Sequence, residues 1–142
     1  MQPDIDSKLL FKLNLPAEAD RLAFVRSVVQ RAVENAGCSK ELAQNIVIAV
    51  NEACMNIIQH AYKDVEKGEF ELELTRGDGS LCFRLTDHAP HIELEAVKSR
   101  ELDELRPGGL GIHFITEIMD DFKIGHLQGE KGNYMEMIKN LD

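Results

Sequence analysis

The sequence has no apolar run that approaches the length of a membrane helix. Among its 142 residues, no stretch nears the roughly 18 consecutive apolar residues that a spanning helix needs. The first twenty residues also lack a basic start followed by an apolar core, which is the pattern of a secretory signal. We therefore expect a cytoplasmic protein that does not associate with membranes.

Cysteine is scarce, and several well-known catalytic motifs are missing. Cys38, Cys54 and Cys82 are odd in number and widely separated, which favours reduced, buried thiols over disulfides or a zinc site. The patterns HExxH, CxxC, GxSxG and GK[ST] do not occur. Zincin, thiol-redox, hydrolase-elbow and P-loop chemistry therefore lose their main support.

Positive charge is also in short supply. Sixteen Lys and Arg residues face 25 Asp and Glu residues, so the net charge is −9. This balance disfavours direct binding to nucleic acid and is compatible with a basic protein partner. The hydrophobic content of 44% and the length predict one globular domain over residues 1–142.

Hydrophobic spacing predicts the order of helices and strands. Strict alternation on both sides of Gly77-Asp78-Gly79 predicts a hairpin, and helical spacing followed by Gly37 predicts an early helix. The full order is a strand at Lys8–Leu15, helices at Glu18–Ala36 and about 40–62, strands at Phe70–Arg76 and Ser80–Thr86, a helix at Ile112–Met119, and strands at Phe122–Leu127 and Tyr134–Leu141. We expect an α+β fold, in which the helices cover one face of a mainly antiparallel sheet as a two-layer sandwich.

The second helix carries a polar stripe in an otherwise apolar segment. Glu52, Asn56 and His60 follow one another at spacings of four, and Asn45 falls on the same side. One explanation is the solvated face of an amphipathic helix. The other is a functional surface, since a carboxylate and a carboxamide one turn apart can offer a base and a metal ligand to one point.

Two further segments suggest a ligand site near the same sheet edge. Asp87 ends the second hairpin strand, where an acceptor would lie at the mouth of a pocket. Gly108-Gly109-Leu110-Gly111 precedes a helix, and such a turn lets the backbone approach an anion closely. Taken singly, each has an ordinary alternative, a strand-ending turn or a tight loop.

Together, these motifs resemble those of the GHKL ATPase superfamily. Its N, G1 and G2 boxes and its closing glycine motif are matched by Glu52-x-x-x-Asn56, Asp87-x-Ala89, Gly109-Leu110-Gly111-Ile112-His113 and Gly132-Asn133. Within the superfamily, the chain is similar over nearly its whole length to the RsbW-type anti-sigma-factor serine kinases. The most specific segments are NEACMNIIQHAY and GGLGIHFITEIMD. This resemblance implies a Bergerat-type sandwich that binds ATP under a mobile lid, and often a homodimer.

The resemblance also implies a role for each matching residue. Asn56 would coordinate Mg²⁺ through its side-chain oxygen, and Glu52 would take the proton from an attacking serine hydroxyl. Asp87 would accept a hydrogen bond from the adenine amino group. The remaining nucleotide contacts would come from Ala89, Gly109, Leu110, Gly111, His113 and Asn133, with residues 92–106 as the lid and Lys98, Arg100 and Arg106 as its cations.

The implied activity is that of a kinase which phosphorylates an anti-anti-sigma (STAS-type) partner and sequesters a sigma factor. Two positions depart from the Asp-x-Gly-x-Gly form of the G1 box, because Ala89 and His91 replace its glycines. Histidine would add bulk and a possible charge near the nucleotide. A partner-switching module without phosphotransfer therefore stays an alternative. A detached histidine-kinase catalytic domain is less favoured, because no dimerising helix with a phosphoacceptor is present.

Overall fold

The computed structural model describes residues 7–62, 65–93 and 111–141, which form a five-stranded sheet and three α-helices. The strands are β1 (Lys8–Pro16), β2 (Glu69–Gly77), β3 (Ser80–Asp87), β4 (Asp121–His126) and β5 (Asn133–Asn140). The helices are α1 (Leu22–Asn35), α2 (Lys40–Asn56) and α3 (Gly111–Ile118).

Every strand pair in these ranges is antiparallel, and the strand order is β1-β2-β3-β5-β4. The chain therefore inserts β5 between β3 and β4, so that two distant segments become neighbours in the middle of the sheet. In this register Asp87 at the end of β3 faces Asn133 at the start of β5. The predicted α+β sandwich is confirmed, and so is the hairpin around Asp78 and Gly79.

One face of the sheet forms the floor of the core. Side chains alternate along a strand, so every second residue points to the same face. The inward positions of β2, β3 and β5 are buried, and they are Phe70, Leu72, Leu74, Leu81, Phe83, Leu85, Met135 and Met137. Ion pairs such as Lys12 with Glu73 and Arg84 with Glu136 lie on the other, more polar face.

The helices cover the apolar face, and α2 lies between α1 and α3. Ser39 caps α2, since its hydroxyl oxygen accepts a hydrogen bond from Leu42 N at 3.1 Å. Ile46, Val50 and Ala53 of α2 are fully buried. The central helix is therefore anchored along its length, and it carries Glu52 and Asn56 on a rigid element.

Two helix boundaries differ from the sequence prediction. A short 3₁₀ turn (Ala19–Arg21) precedes α1, so the α-helix begins at Leu22 rather than at Glu18. The second helix is α-helical only as far as Asn56 and continues as a π-helical segment (Ile57–Ala61). Such segments are uncommon and often occur at functional sites. The wider turn buries both neighbouring isoleucines, Ile57 and Ile58.

The cysteines are free thiols, as predicted, but only one of them is fully buried. Cys54 has no exposed surface, whereas Cys38 and Cys82 are partly exposed. Burial raises the pKa of the Cys54 thiol to about 12. Within the described ranges, no helix combines the length and the hydropathy needed to span a membrane.

Candidate functional site

A cavity opens between the C-terminal end of α2 and the edge of the sheet where β3 ends and β5 begins. The polar residues that line it are Asn56, His60, Asp87 and Asn133. Ile112 from the start of α3 and Ile124 from β4 contribute to its apolar wall. Residues from all four sequence motifs thus line one cavity.

Asp87 and Asn133 carry the only buried carboxylate and carboxamide among the described residues, at 4% and 3% exposure. Polar groups in such positions need hydrogen-bond partners, because burial without them is costly. Oδ1 of Asp87 accepts hydrogen bonds from Ala89 N and from Asn133 Nδ2, each at 3.0 Å. Burial is the largest influence on the pKa of Asp87 and raises it, while these hydrogen bonds act in the opposite direction.

Asn133 ties three parts of the site together through its carboxamide. Besides Asp87, its nitrogen donates to the carbonyl oxygen of Pro90 at 3.1 Å, and its oxygen accepts from Ile92 N at 3.0 Å. Both amide hydrogens and the oxygen are therefore used within the protein. These hydrogen bonds hold the Asp87 carboxylate against the segment that follows β3.

His91 lies away from the cavity, contrary to the expectation that it would crowd the nucleotide. Its ring stacks on His126 with centroids 4.3 Å apart, and its Nε2 donates to the Glu130 carbonyl at 2.9 Å. His126 Nε2 in turn donates to the carbonyl of Ile92 at 2.7 Å. The two rings connect the segment after β3 to the end of β4 and the turn that follows it. Each ring donates to a backbone carbonyl on the side to which the other ring belongs.

Asn56 projects from the last turn of α2 into the cavity. Its Nδ2 donates to the backbone carbonyl of Glu52 at 2.9 Å, which fixes the orientation of the carboxamide. The carboxamide oxygen is the atom of this side chain that can coordinate a cation. Glu52 lies one turn earlier, is half-buried, and is not one of the residues that line the cavity.

The two histidines of the motifs have different positions. His60, in the π-helical segment, lines the cavity, whereas His113 lies on an exposed face of α3 with Nε2 at 3.5 Å from Glu117 Oε1. Ile112 is the residue of this motif that reaches the cavity. Gly111 is the first residue of α3. The predicted contacts of Gly109 and Leu110 and the predicted lid cations lie outside the described residues.

Two further residues shape the site: Gly132 of the closing glycine motif, and Tyr62, for which the sequence predicted no role. Gly132 has φ +129°, and a Cβ there would lie 2.6 Å from the Asp87 carbonyl oxygen and 2.4 Å from Leu127 Cδ1. Only glycine fits this position. Tyr62 is buried, and its hydroxyl contacts the backbone beside Asp87. Nothing in the local sequence signals the role of that hydroxyl, because its partners lie at the start of β2 and just after β3.

The described residues contain no group of three or more His, Cys, Asp or Glu side chains placed to hold a metal ion. A protein cage for a transition metal is therefore absent from this part of the chain. A single carboxamide oxygen is still a suitable ligand for Mg²⁺, which commonly keeps waters and substrate phosphates as its other ligands. Asn56 fits that pattern.

Residues 15–139 match the model of the histidine kinase-like ATPase domain family. Among curated proteins, the chain is similar to the serine-protein kinase RsbW of Listeria monocytogenes, with 31% identity over 82% of this chain and 80% of the relative. It is also similar to the serine-protein kinase RsbW of Bacillus velezensis, with 26% identity over 92% of this chain and 94% of the relative.

Solved structures share the fold at lower sequence identity. A chain of the SiaB-SiaC complex from Pseudomonas aeruginosa superposes with a TM-score of 0.69 and 13% identity, covering 92% of this chain and 89% of that one. A Mycobacterium tuberculosis protein with RsbU and RsbW domains gives a TM-score of 0.66 and 20% identity, covering 92% of this chain and 31% of its own.

Proposed function

Because the chain belongs to the histidine kinase-like ATPase domain family, and within it to the RsbW-like proteins, we propose that it is an ATP-dependent protein serine kinase and anti-sigma factor. One observation carries the proposal for the site. Asn56, Asp87 and Asn133 come from motifs far apart in sequence, and all three line one cavity. We treat residues 1–142 as a single ATP-binding kinase domain that acts in the cytoplasm.

Asp87 is proposed to recognise the adenine base. Oδ1 is already bonded to Ala89 N and Asn133 Nδ2, so Oδ2 is the acceptor available for the amino group of the base. Asn133 and Ala89 then act by holding the carboxylate in place. Their hydrogen bonds also favour the ionised form, which is the form that can only accept.

Asn56 is proposed to bind Mg²⁺ through Oδ1, and the ion would neutralise charge on the ATP phosphates. Glu52 is proposed to be the general base. In the transfer, the serine oxygen bonds to the γ-phosphorus while the bond to the β–γ bridging oxygen breaks and ADP leaves. The serine proton passes to the Glu52 carboxylate.

Phosphate contacts are proposed for Gly109, Leu110 and Gly111, with residues 92–106 as a lid. Backbone N–H groups at the start of α3 would stabilise the phosphate charge. We assign no ligand contact to His113, because it lies on the exposed side of the helix against Glu117.

The proposed partners are a STAS-type anti-anti-sigma protein as substrate and a sigma factor as the sequestered protein. The support is the similarity to proteins named serine-protein kinase RsbW. We also propose a homodimer. Leu9 on the edge strand β1 is 54% exposed and Leu10 36%, and an exposed apolar edge favours pairing with another chain.

The test is phosphate transfer from labelled Mg·ATP to the STAS protein encoded nearest to this gene. We expect transfer by the wild type and a loss of at least about 100-fold in Glu52→Gln, since general bases contribute 10²- to 10⁴-fold. Glu41→Gln is the matched control, because Glu41 is exposed in the first turn of the same helix. The kinase assignment fails if the wild type transfers no label or if Glu52→Gln transfers it undiminished.

The second candidate function is a partner-switching module that binds nucleotide without phosphotransfer. The position of Glu52 outside the cavity lining favours it. Calorimetry with Mg·ATP on the same proteins separates the two functions. Binding without label transfer supports the switching module, whereas binding with Glu52-dependent transfer supports the kinase.

A further inference from the structure

The hydroxyl of Tyr62 connects two walls of the cavity. Tyr62 directly follows the π-helical segment whose His60 lines the cavity, and it is 6% exposed. Its Oη donates to the carbonyl of Glu69 at 2.6 Å and accepts from His88 N at 3.1 Å. One hydroxyl thus joins the end of the second helix to the start of β2 and to the residue after Asp87.

The position of this hydroxyl explains why the β2–β3 ladder stops at Asp87. Hydrogen-bonded and non-bonded pairs alternate along an antiparallel ladder. Counted from the pair Gly77–Ser80 that flanks the two-residue turn, Glu69 and His88 would form the next hydrogen-bonded pair. Oη of Tyr62 lies between their carbonyl and N–H groups instead. The two strands are therefore held apart where the pairing would otherwise continue.

The surrounding chain makes room for the tyrosine ring. A Cβ at Gly68 would lie 3.1 Å from the ring carbons and the hydroxyl of Tyr62, so a larger residue there would press on the ring. The Gly68 carbonyl is held in turn by Ala17 N at 2.9 Å. Burial raises the pKa of the Tyr62 hydroxyl, so it stays protonated and able to donate at neutral pH.

We propose that Tyr62 is a positioning residue of the nucleotide site. Its hydroxyl ends the β2–β3 ladder at Asp87 and so holds the Asp87 carboxylate at a fixed position relative to Asn56 on the opposite wall of the cavity. This inference rests on the proposed binding of adenine by Asp87. Tyr62 itself need not touch the nucleotide. Its effect reaches the base through His88. This residue directly follows Asp87 in the chain, and its backbone N–H donates a hydrogen bond to the Tyr62 hydroxyl.

Removal of the hydroxyl has two possible local results, and both disturb Asp87. In Tyr62→Phe, the Glu69 carbonyl and the His88 N–H either pair directly, which extends the ladder by one rung, or stay unpaired in a half-buried place. We expect the affinity for Mg·ATP to fall about five- to tenfold, which corresponds to the loss of roughly one hydrogen bond.

The deciding experiment compares binding of Mg·ATP and Mg·ITP by calorimetry. ITP has a carbonyl oxygen where ATP has the amino group that is proposed to donate a hydrogen bond to Asp87, and its neighbouring N1 carries a hydrogen. The sugar and the phosphates of the two nucleotides are identical. We expect the wild type to prefer ATP. We expect Tyr62→Phe to bind ITP as the wild type does while losing ATP affinity, so that the ratio of the two dissociation constants moves toward one.

Ser39→Ala is the matched control for lost stability. It removes a hydroxyl that caps the far end of α2, where it contacts only the start of that helix. We expect it to lower the unfolding midpoint and to leave the ATP-to-ITP ratio unchanged. A merely structural role for Tyr62 would give the same result in Tyr62→Phe, and that result would overturn the inference.

Gly68→Ala keeps the hydroxyl but presses on the ring, so it should shift the ratio in the same direction. It decides the question if Tyr62→Phe does not fold, because an unchanged ratio in Gly68→Ala overturns the inference. Two results for the wild type would instead contradict the adenine-binding role of Asp87: equal affinity for ATP and ITP, or no binding of either. In both cases the proposed role of Tyr62 would fail as well.

Discussion

The Asn133 carboxamide is the part of the site whose energetic weight can be worked out most directly. Asn133→Ala removes three hydrogen bonds: one to the Asp87 carboxylate at 3.0 Å, one to the Pro90 carbonyl at 3.1 Å, and one from Ile92 N at 3.0 Å. A neutral bond contributes about 0.5–1.5 kcal/mol and one to a charged group about 1.5–3 kcal/mol. The nominal total is about 2.5–6 kcal/mol.

The bonds share one side chain, and water from the cavity can reach part of the space that alanine leaves. We therefore expect the free energy of unfolding to fall by about 2.5–4 kcal/mol, the lower part of that range. Urea unfolding at pH 7 measures it. With a slope of about 2 kcal/mol per M, the middle of the usual range for small proteins in urea, the midpoint should move by about 1–2 M while the slope stays constant.

Asn140→Ala is the matched control on the same strand. Asn140 is exposed, and only its backbone N–H donates, to Asp120 Oδ2 at 2.7 Å, so the alanine variant keeps that bond. We expect a change of about 0.5 kcal/mol or less. If Asn133→Ala costs no more than Asn140→Ala, the claim that Asn133 braces the site is wrong.

Three further predictions concern neighbouring features. Gly132→Ala should cost at least about 2 kcal/mol in urea unfolding, because it combines a positive φ with the close approach of Leu127 and the Asp87 carbonyl, whereas Gly129→Ala, with φ +74° and open space, should cost less. The pKa of Asp87 is raised above 3.8, so the folded chain binds the proton of this carboxyl group more tightly than the unfolded chain does. The stability of the wild type should therefore fall relative to that of Asp87→Asn as the pH rises from about 4 through the folded pKa. A rise in relative stability over this range would contradict the prediction. The Cys54 thiol should resist labelling at pH 8 until the chain unfolds, and rapid labelling of the native protein would contradict its complete burial.

Local patterns in the sequence predicted most of the secondary structure. The strict alternation in residues 70–76 and 80–86 could form only one amphipathic hairpin, and the observed strands agree within about one residue. The end of the second helix was missed. Its apolar spacing fits an α-helix as far as Tyr62, and nothing local favours the wider turn at Ile57–Ala61.

The candidate site was predicted by residue type and only partly by position. Asn56 and Asp87 line the cavity as expected, but His91 turns away because His126 and a carbonyl offer its ring better partners. Those partners lie at the end of β4 and in the turn that follows it, about 35–40 residues further along the chain. Their proximity depends on strand order, and sequence spacing carries no information about it.

The sequence by itself determined the helices and strands, the buried face of each, and the family, because these depend on neighbouring residues and on short motifs. Tertiary structure alone decided which of those motifs meet. The insertion of β5 beside β3 brings Asn133 to Asp87 across 46 residues, and the Tyr62 hydroxyl then stops the adjoining ladder at that carboxylate. Strand register depends on the packing of the whole sheet. The Asp87 carboxylate is therefore positioned as an acceptor in the cavity only when the strands have paired.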